Sequence, residues 1–211
     1  MPVPFNLESD PMPLLCRVVF ALLAQALVSV PALAEEEPGF KALFNGQDLS
    51  GWRLGQEKLD GKTGTADGRF RVADGVIRVT GATTSDQPKT EAMETLTTYS
   101  GDFILRLEFR ASRGANSGLH LGDLDFKHQL QIRDYPNVGP YKDLKHYKAE
   151  DWNRIEVSVT HAQEGKGSVA RCTCNGELLE EALPIPGTGS IGLQSETNIL
   201  EYRNIRIRRL D

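Results

Sequence analysis

The run "GANSGLHLGDLDFKHQLQIRD", residues 114–134, sets histidine, amide and guanidinium side chains among strand-forming apolar residues. Side chains of a strand alternate between its two faces, so with Leu119, Leu121, Leu130 and Ile132 in a core, Asn116, His120, Gln129, Gln131 and Arg133 share the other face. The preceding "DFILRLEFRA" obeys the same rule, with Phe103, Leu105, Leu107 and Phe109 inward and Arg106, Glu108 and Arg110 outward. Each row alone reads as the wet side of a sheet, where Arg and Glu pairs contribute a few tenths of a kcal/mol. Ordinary solvent faces are rich in Lys, Glu and Thr, whereas these rows favour groups that make fixed, directional hydrogen bonds and suit a hydroxyl-rich ligand. With the three strands as neighbours, the rows merge into one polar cleft.

The elements that must carry such a cleft are strands. "FRVADGVIRVTG" is a hairpin turning at Asp74-Gly75, and "VARCTCNGELLEE" another turning at Asn175-Gly176. "NRIEVSVT" buries Ile155, Val157 and Val159, and "GSIGLQ" and "LEYRNIRIRRL" close the chain. The apolar parity switches between Tyr202 and Ile205, which predicts a bulge near Asn204. One short helix is expected within "KDLKHYKAEDW", residues 142–152. Short strands with Gly, Pro and Asn turns predict an all-β antiparallel sandwich or barrel.

The start of the chain has a different character. "VVFALLAQALVSV", residues 18–30, follows Arg17 and precedes the small residues Ala32 to Ala34, the pattern of a secretory signal peptide. Residues 1–34 are therefore expected to be removed after Ala34, leaving a secreted or periplasmic protein with no membrane segment. Glu8 and Asp10 stand where a signal peptide is basic, so Met12 is the better start. Cys172 and Cys174 then remain, and alternate residues of one strand lie near the limit for disulfide closure, so they read as free thiols. The net charge of −5, with no basic patch interleaved with aromatics, argues against a nucleic-acid partner. Asp123 and Asp125 have a spacing used by calcium loops, but aspartates in a tight hairpin are more often turn formers, and no cofactor is expected.

Several segments occur in the order of the 3-keto-disaccharide hydrolase domain family: "FKALFNGQDLSGWR", "GDFILRLEFR", "NSGLHL", "QLQIRD", "DWNRIEV", "CNGEL" and "GSIGLQ…EYRNIRIRRL". The resemblance spans Phe40 to Leu210. It implies a concanavalin-A-like jelly-roll β-sandwich of two antiparallel sheets, a single domain over residues 39–211. It also implies a carbohydrate substrate, a glycoside already oxidised to a ketone at sugar carbon 3; separately, a monomer is expected. A C3 ketone acidifies the C2 hydrogen, so a modest base forms an enolate that expels the C1 oxygen, unlike hydrolysis through two carboxylates. On that resemblance His120 or Glu108 serves as base and Arg110 or Arg133 steadies the oxyanion. Asn116, Gln131 and Asp134 orient hydroxyls, His146 supplies the acid, and Arg106 and Gln129 complete the binding rows. Two positions depart from the family pattern. Gln129 replaces a glutamate, and an amide cannot take a proton; Ser195-Glu196-Thr197 replaces an Asp-His-Gly turn, with Glu196 as the substitute carboxylate. Both departures keep a non-catalytic, lectin-like role open.

Overall fold

A computed structural model describes Met1 and residues 37–134, 140–161 and 168–210. The expected signal segment, its start at Met12 and its cleavage site at Ala34 lie outside the described residues. The strands are β1 (Lys41–Ala42), β2 (Trp52–Leu54), β3 (Glu57–Lys58), β4 (Phe70–Ala73), β5 (Val76–Thr80), β6 (Glu91–Thr95), β7 (Tyr99–Ser100) and β8 (Phe103–Ala111). They continue as β9 (Asn116–Gly122), β10 (Gln129–Arg133), β11 (Asn153–Thr160), β12 (Ser168–Cys174), β13 (Glu177–Ile185), β14 (Thr188–Ser195) and β15 (Ile199–Arg209).

Two antiparallel sheets form. The back sheet runs β13-β12-β11-β8-β15-β5-β4 with β1 on β15, and the front sheet runs β10-β9-β14-β6-β2-β3 with β7 on β14. Between them lie the residues that alternation sends inward: Leu105, Leu107, Phe109, Ile155 and Val157 from the back, and Leu119, Leu121, Leu130, Ile132 and Leu193 from the front, all buried. Both hairpin expectations hold. Asp74 and Gly75 have φ of 52° and 76°, and Asn175 and Gly176 have 51° and 85°, the left-handed pair that a two-residue turn between twisted strands requires. The bulge also falls where parity switches: Asn204 has φ of 54°, and the β15 register against β8 shifts between Arg203 and Arg206. Cys172 and Cys174 are free and buried, and burial pushes both thiols up to about 12.

The expected helix over 142–152 does not form; a 3-10 turn at Pro140–Asp143 is followed by irregular chain. Its amides find side-chain partners instead of carbonyls four residues back. Lys145 N and His146 N donate to the Glu177 carboxylate at 2.8 and 2.6 Å, and Lys148 N to Asn153 Oδ1 at 2.8 Å. Glu150, at φ of 55°, then breaks any helical continuation.

A larger correction concerns the polar rows. The three strands that carry them are not all neighbours, because the link from β8 to β9 carries the chain across the sandwich from back sheet to front. The link from β14 to β15 makes the opposite crossing beside it. Ser112 N donates to Ile199 O at 2.9 Å, Asn116 and Thr197 exchange main-chain bonds, and Asn198 Nδ2 donates to the Arg113 and Gly114 carbonyls. Strand β8 therefore pairs with β11 and β15, never with β9. Arg106, Glu108 and Arg110 lie on the outside of the back sheet, and they do not share a face with His120.

Candidate functional site

On the outer back face the charges satisfy one another. Glu108 binds Arg203 at 2.7 Å, Arg110 binds Glu201 at 2.6 Å, and Arg106 holds Glu156 at 2.7 Å as well as Glu37. The arginines also stack on aromatic rings: Arg203 and Arg110 lie 3.9 and 4.9 Å from the Trp152 centroid, and Arg106 lies 4.7 Å from that of Phe40. Two guanidinium groups draw Glu37 down to about 2, the hydrogen bond from Arg106 being the largest influence. A shallow hollow of about 360 Å³ lies here, lined by Arg78, Arg110, Ser112, Glu150, Ile199 and Glu201. Its Arg110 and Glu201 already pair, and Glu108 and Arg110 both belong to the ion-pair lattice of this outer face.

The front face is different. Register aligns Gln129 of β10, His120 of β9, Gly192 of β14, Glu94 of β6, Arg53 of β2 and Lys58 of β3 along one line across the sheet. A second line pairs Gln131 with Gly118 and Gln194 with Ala92, and a third pairs Arg133 with Asn116. Two positions in this floor are glycine for steric reasons. A Cβ on Gly118 would stand 1.7 Å from Gln129 Nε2, so the Gln129 side chain lies flat across that residue. A Cβ on Gly192 would stand 2.9 Å from Leu124 Cδ2 and 3.1 Å from His120 Cβ. Leu124, 40 % exposed, thus folds back over the gap between His120 and Glu94.

Polar groups of this face are buried to an unusual degree: His120, Gln129 and Gln194 are 2 %, 5 % and 1 % exposed. Arg133 Nε donates to Gln131 Oε1 at 2.8 Å, Gln131 Nε2 donates to Gln129 Oε1, and Gln129 Nε2 meets His120 Nε2 at 3.3 Å. Burial lowers the His120 pKa, while the Asp125 main chain and the carboxylates of Asp123, Glu94 and Asp125 work the other way. Across Gly192, Glu94 is held by Arg53 at 2.8 Å and by the Ser190 hydroxyl. Among the described residues Asn116 Oδ1, Gln194 Oε1 and Arg53 Nε are buried with no hydrogen-bond partner. Such groups are costly unless something satisfies them, and these three lie on one face.

The remaining expected site residues lie elsewhere. Asp134 is 4 % exposed and accepts from Tyr147 Oη at 3.0 Å and Gly114 N at 3.2 Å, which makes it a buried pin between loops. His146 pairs with Glu177 beside the outermost strand of the back sheet, at 3.2 Å, away from the His120 row. Ser195 turns inward to accept from buried Arg69 at 2.8 Å, and Glu196 beside it is half-buried. Asp123 and Asp125 accept main-chain bonds from Asp125 and Lys127 at 3.0 and 2.9 Å, which is turn chemistry. Among the described residues no group of three His, Cys, Asp or Glu side chains is arranged around a metal position. Sequence reading missed Glu94, Arg53 and Gln194. Each alternates with a buried neighbour (Met93, Trp52, Leu193), so parity would have placed all three on the outer face.

Two antiparallel sheets packed face to face, joined by paired corner crossings, make this a concanavalin-A-like jelly roll. Two crystal structures of provisionally assigned glycosyl hydrolases from Parabacteroides distasonis share the fold. One superposes with a TM-score of 0.58 at 19 % identity over 82 % of this chain and 94 % of the other. The second gives 0.57 at 22 % identity over 81 % and 99 %. A sialidase structure superposes at 0.50 with 10 % identity, over 76 % of this chain and 17 % of that one. No curated protein matches in sequence. The chain belongs to the 3-keto-alpha-glucoside-1,2-lyase-like domain family, whose profile matches residues 39–208. That family is glycosidase-like and carbohydrate-related.

Proposed function

We propose that the front face binds a glycoside carrying a ketone at sugar carbon 3 and cleaves its C1–oxygen bond by elimination. The observation that carries this reading is the line His120–Gly192–Glu94–Arg53, flanked on the same face by the unpartnered acceptors of Asn116 and Gln194. Two strand spacings, about 10 Å, separate the imidazole-bearing and carboxylate-bearing backbones, with a glycine floor between them wide enough for one sugar ring. Asn116 Oδ1 and Gln194 Oε1 accept from sugar hydroxyls. His120, kept neutral by burial, takes the C2 proton, and the electron pair moves onto the C3 oxygen, where the Arg53 guanidinium steadies it. Return of that pair forms the C1–C2 double bond and expels the aglycone oxygen, which takes up a proton. Water then adds its oxygen to C1 and a proton to C2, so the net change is hydrolysis. A sugar approaching His120 displaces Leu124 from its place over Gly192.

A second reading, sugar binding without turnover, draws on two observations: the residue beside His120 is an amide, and His120 is only 2 % exposed. Incubation with 3-keto-glycosides and their unoxidised parents separates the two. Release of aglycone from the keto forms alone, lost in His120→Gln and kept in Glu108→Gln, supports the enzyme. Saturable binding with no release supports the second reading, and neither binding nor release removes both.

A further inference from the structure

Arginine carries only donors, and that gives direction to the hydrogen-bonded row beside His120. Arg133 Nε can only donate, so the Gln131 atom it meets at 2.8 Å is the carbonyl oxygen, and the Gln131 NH2 faces the other way. That NH2 donates to Gln129 Oε1, which turns the Gln129 NH2 toward His120 Nε2 at 3.3 Å. An amide NH2 cannot accept, so Nε2 must, and a neutral imidazole that accepts at Nε2 carries its proton on Nδ1. We propose that Arg133, Gln131 and Gln129 are positioning residues that hold His120 as the Nδ1–H tautomer, with its basic lone pair on Nε2.

Other groups bear on the charge of the ring. The Asp125 main chain favours its protonated form. The carboxylates of Asp123, Asp125 and Glu94 favour a charged ring, but burial outweighs them, and Asp123 is already bonded to His128 Nδ1 at 2.8 Å. The row also explains what an amide at position 129 accomplishes. A carboxylate there would accept from Gln131 and from His120 alike, and so would require a proton on Nε2. Glutamine leaves that nitrogen bare behind a weak, displaceable donor. The assignment stands whether the face cleaves a sugar or only binds one, so its test is independent of turnover.

Long-range proton–nitrogen NMR correlations of the histidine rings in the labelled, full-length protein read the tautomer, with His120 assigned by its loss in His120→Gln. The wild-type ring at neutral pH is expected to show a protonated Nδ1 and a bare Nε2. In Gln129→Glu the Nε2 signal should move to the protonated position and the ring should titrate at higher pH than in wild type. In Arg133→Met the Gln129 and Gln131 side-chain amide resonances should shift together. A wild-type ring with its proton on Nε2 overturns the proposal without any variant. So does a Gln129→Glu ring that keeps Nε2 bare, or an Arg133→Met spectrum that leaves both amides unmoved.

Discussion

A single methyl group tests the packing of the front face. Gly118 lies in ordinary extended backbone of β9, so alanine fits its main chain without strain. Its Cβ, however, would stand 1.7 Å from Gln129 Nε2, 2.1 Å from Cδ and 2.4 Å from Cγ. No small rotation relieves contacts that close, so the Gln129 side chain must leave the face. Two hydrogen bonds go with it, from Gln131 and to His120, at about 0.5–1.5 kcal/mol each. Replacing a strand glycine with alanine returns roughly 0.5–1 kcal/mol through reduced unfolded-state entropy. Gly118→Ala should therefore destabilise by up to about 2.5 kcal/mol, which for a domain of this size lowers Tm by up to roughly 10 °C in a thermal melt. The same variant should lose the Gln129 contribution to His120 and titrate the imidazole differently from wild type. Backbone entropy acting alone would raise Tm. A melt that rises, with an unchanged His120 titration, would refute the placement of Gln129 over Gly118.

Other predictions follow from the division of the two faces. Glu108→Gln loses one half-exposed pair with Arg203 and should cost no more than about 1 kcal/mol in a denaturant titration, leaving sugar binding intact. Leu130→Ala opens a core cavity and should cost roughly 2–5 kcal/mol in the same titration, because Leu130 is 2 % exposed between the sheets. Cys172 and Cys174 should resist alkylation in the native protein near neutral pH and react once it is unfolded, since burial holds both thiols protonated up to about 12; peptide masses report the labelled sites. Export should yield a protein beginning at Glu35, which intact mass of a periplasmic or extracellular fraction checks.

Acid should also loosen the strap before β1. Glu37 sits between Arg106 and Arg206, and its folded-state pKa of about 2 lies below the ordinary carboxylate value of 4.5. A depressed carboxylate contributes stability that is present above its unfolded value and lost as pH falls through the folded one. Hydrogen-exchange protection at Phe40 N, which donates to Glu37 O at 2.9 Å, should therefore decline between about pH 4.5 and 2. Protection that holds constant across that range would show that the arginine clamp does not anchor the strap.

Alternation along each strand was a property of the sequence alone. It separated Leu119, Leu130 and Leu107 from His120, Gln131 and Glu108 correctly, because side-chain direction in a strand depends only on position within that strand. Turn chemistry was equally local, and the left-handed Asp74-Gly75 and Asn175-Gly176 pairs and the bulge at Asn204 needed no partner to be recognised. Which strands become neighbours is a different kind of fact. The four residues between β8 and β9 are too few to reveal whether the chain turns back on itself or crosses to the opposite sheet. That choice is made by β11 and β15 pairing with β8, and by β14 pairing with β9, contacts between segments tens of residues apart. Tertiary structure alone therefore sent Glu108 and Arg110 into an ion-pair lattice on one outer face. It set His120 opposite Glu94 on the other, two strands apart across a glycine that no single strand could have shown to be the floor between them.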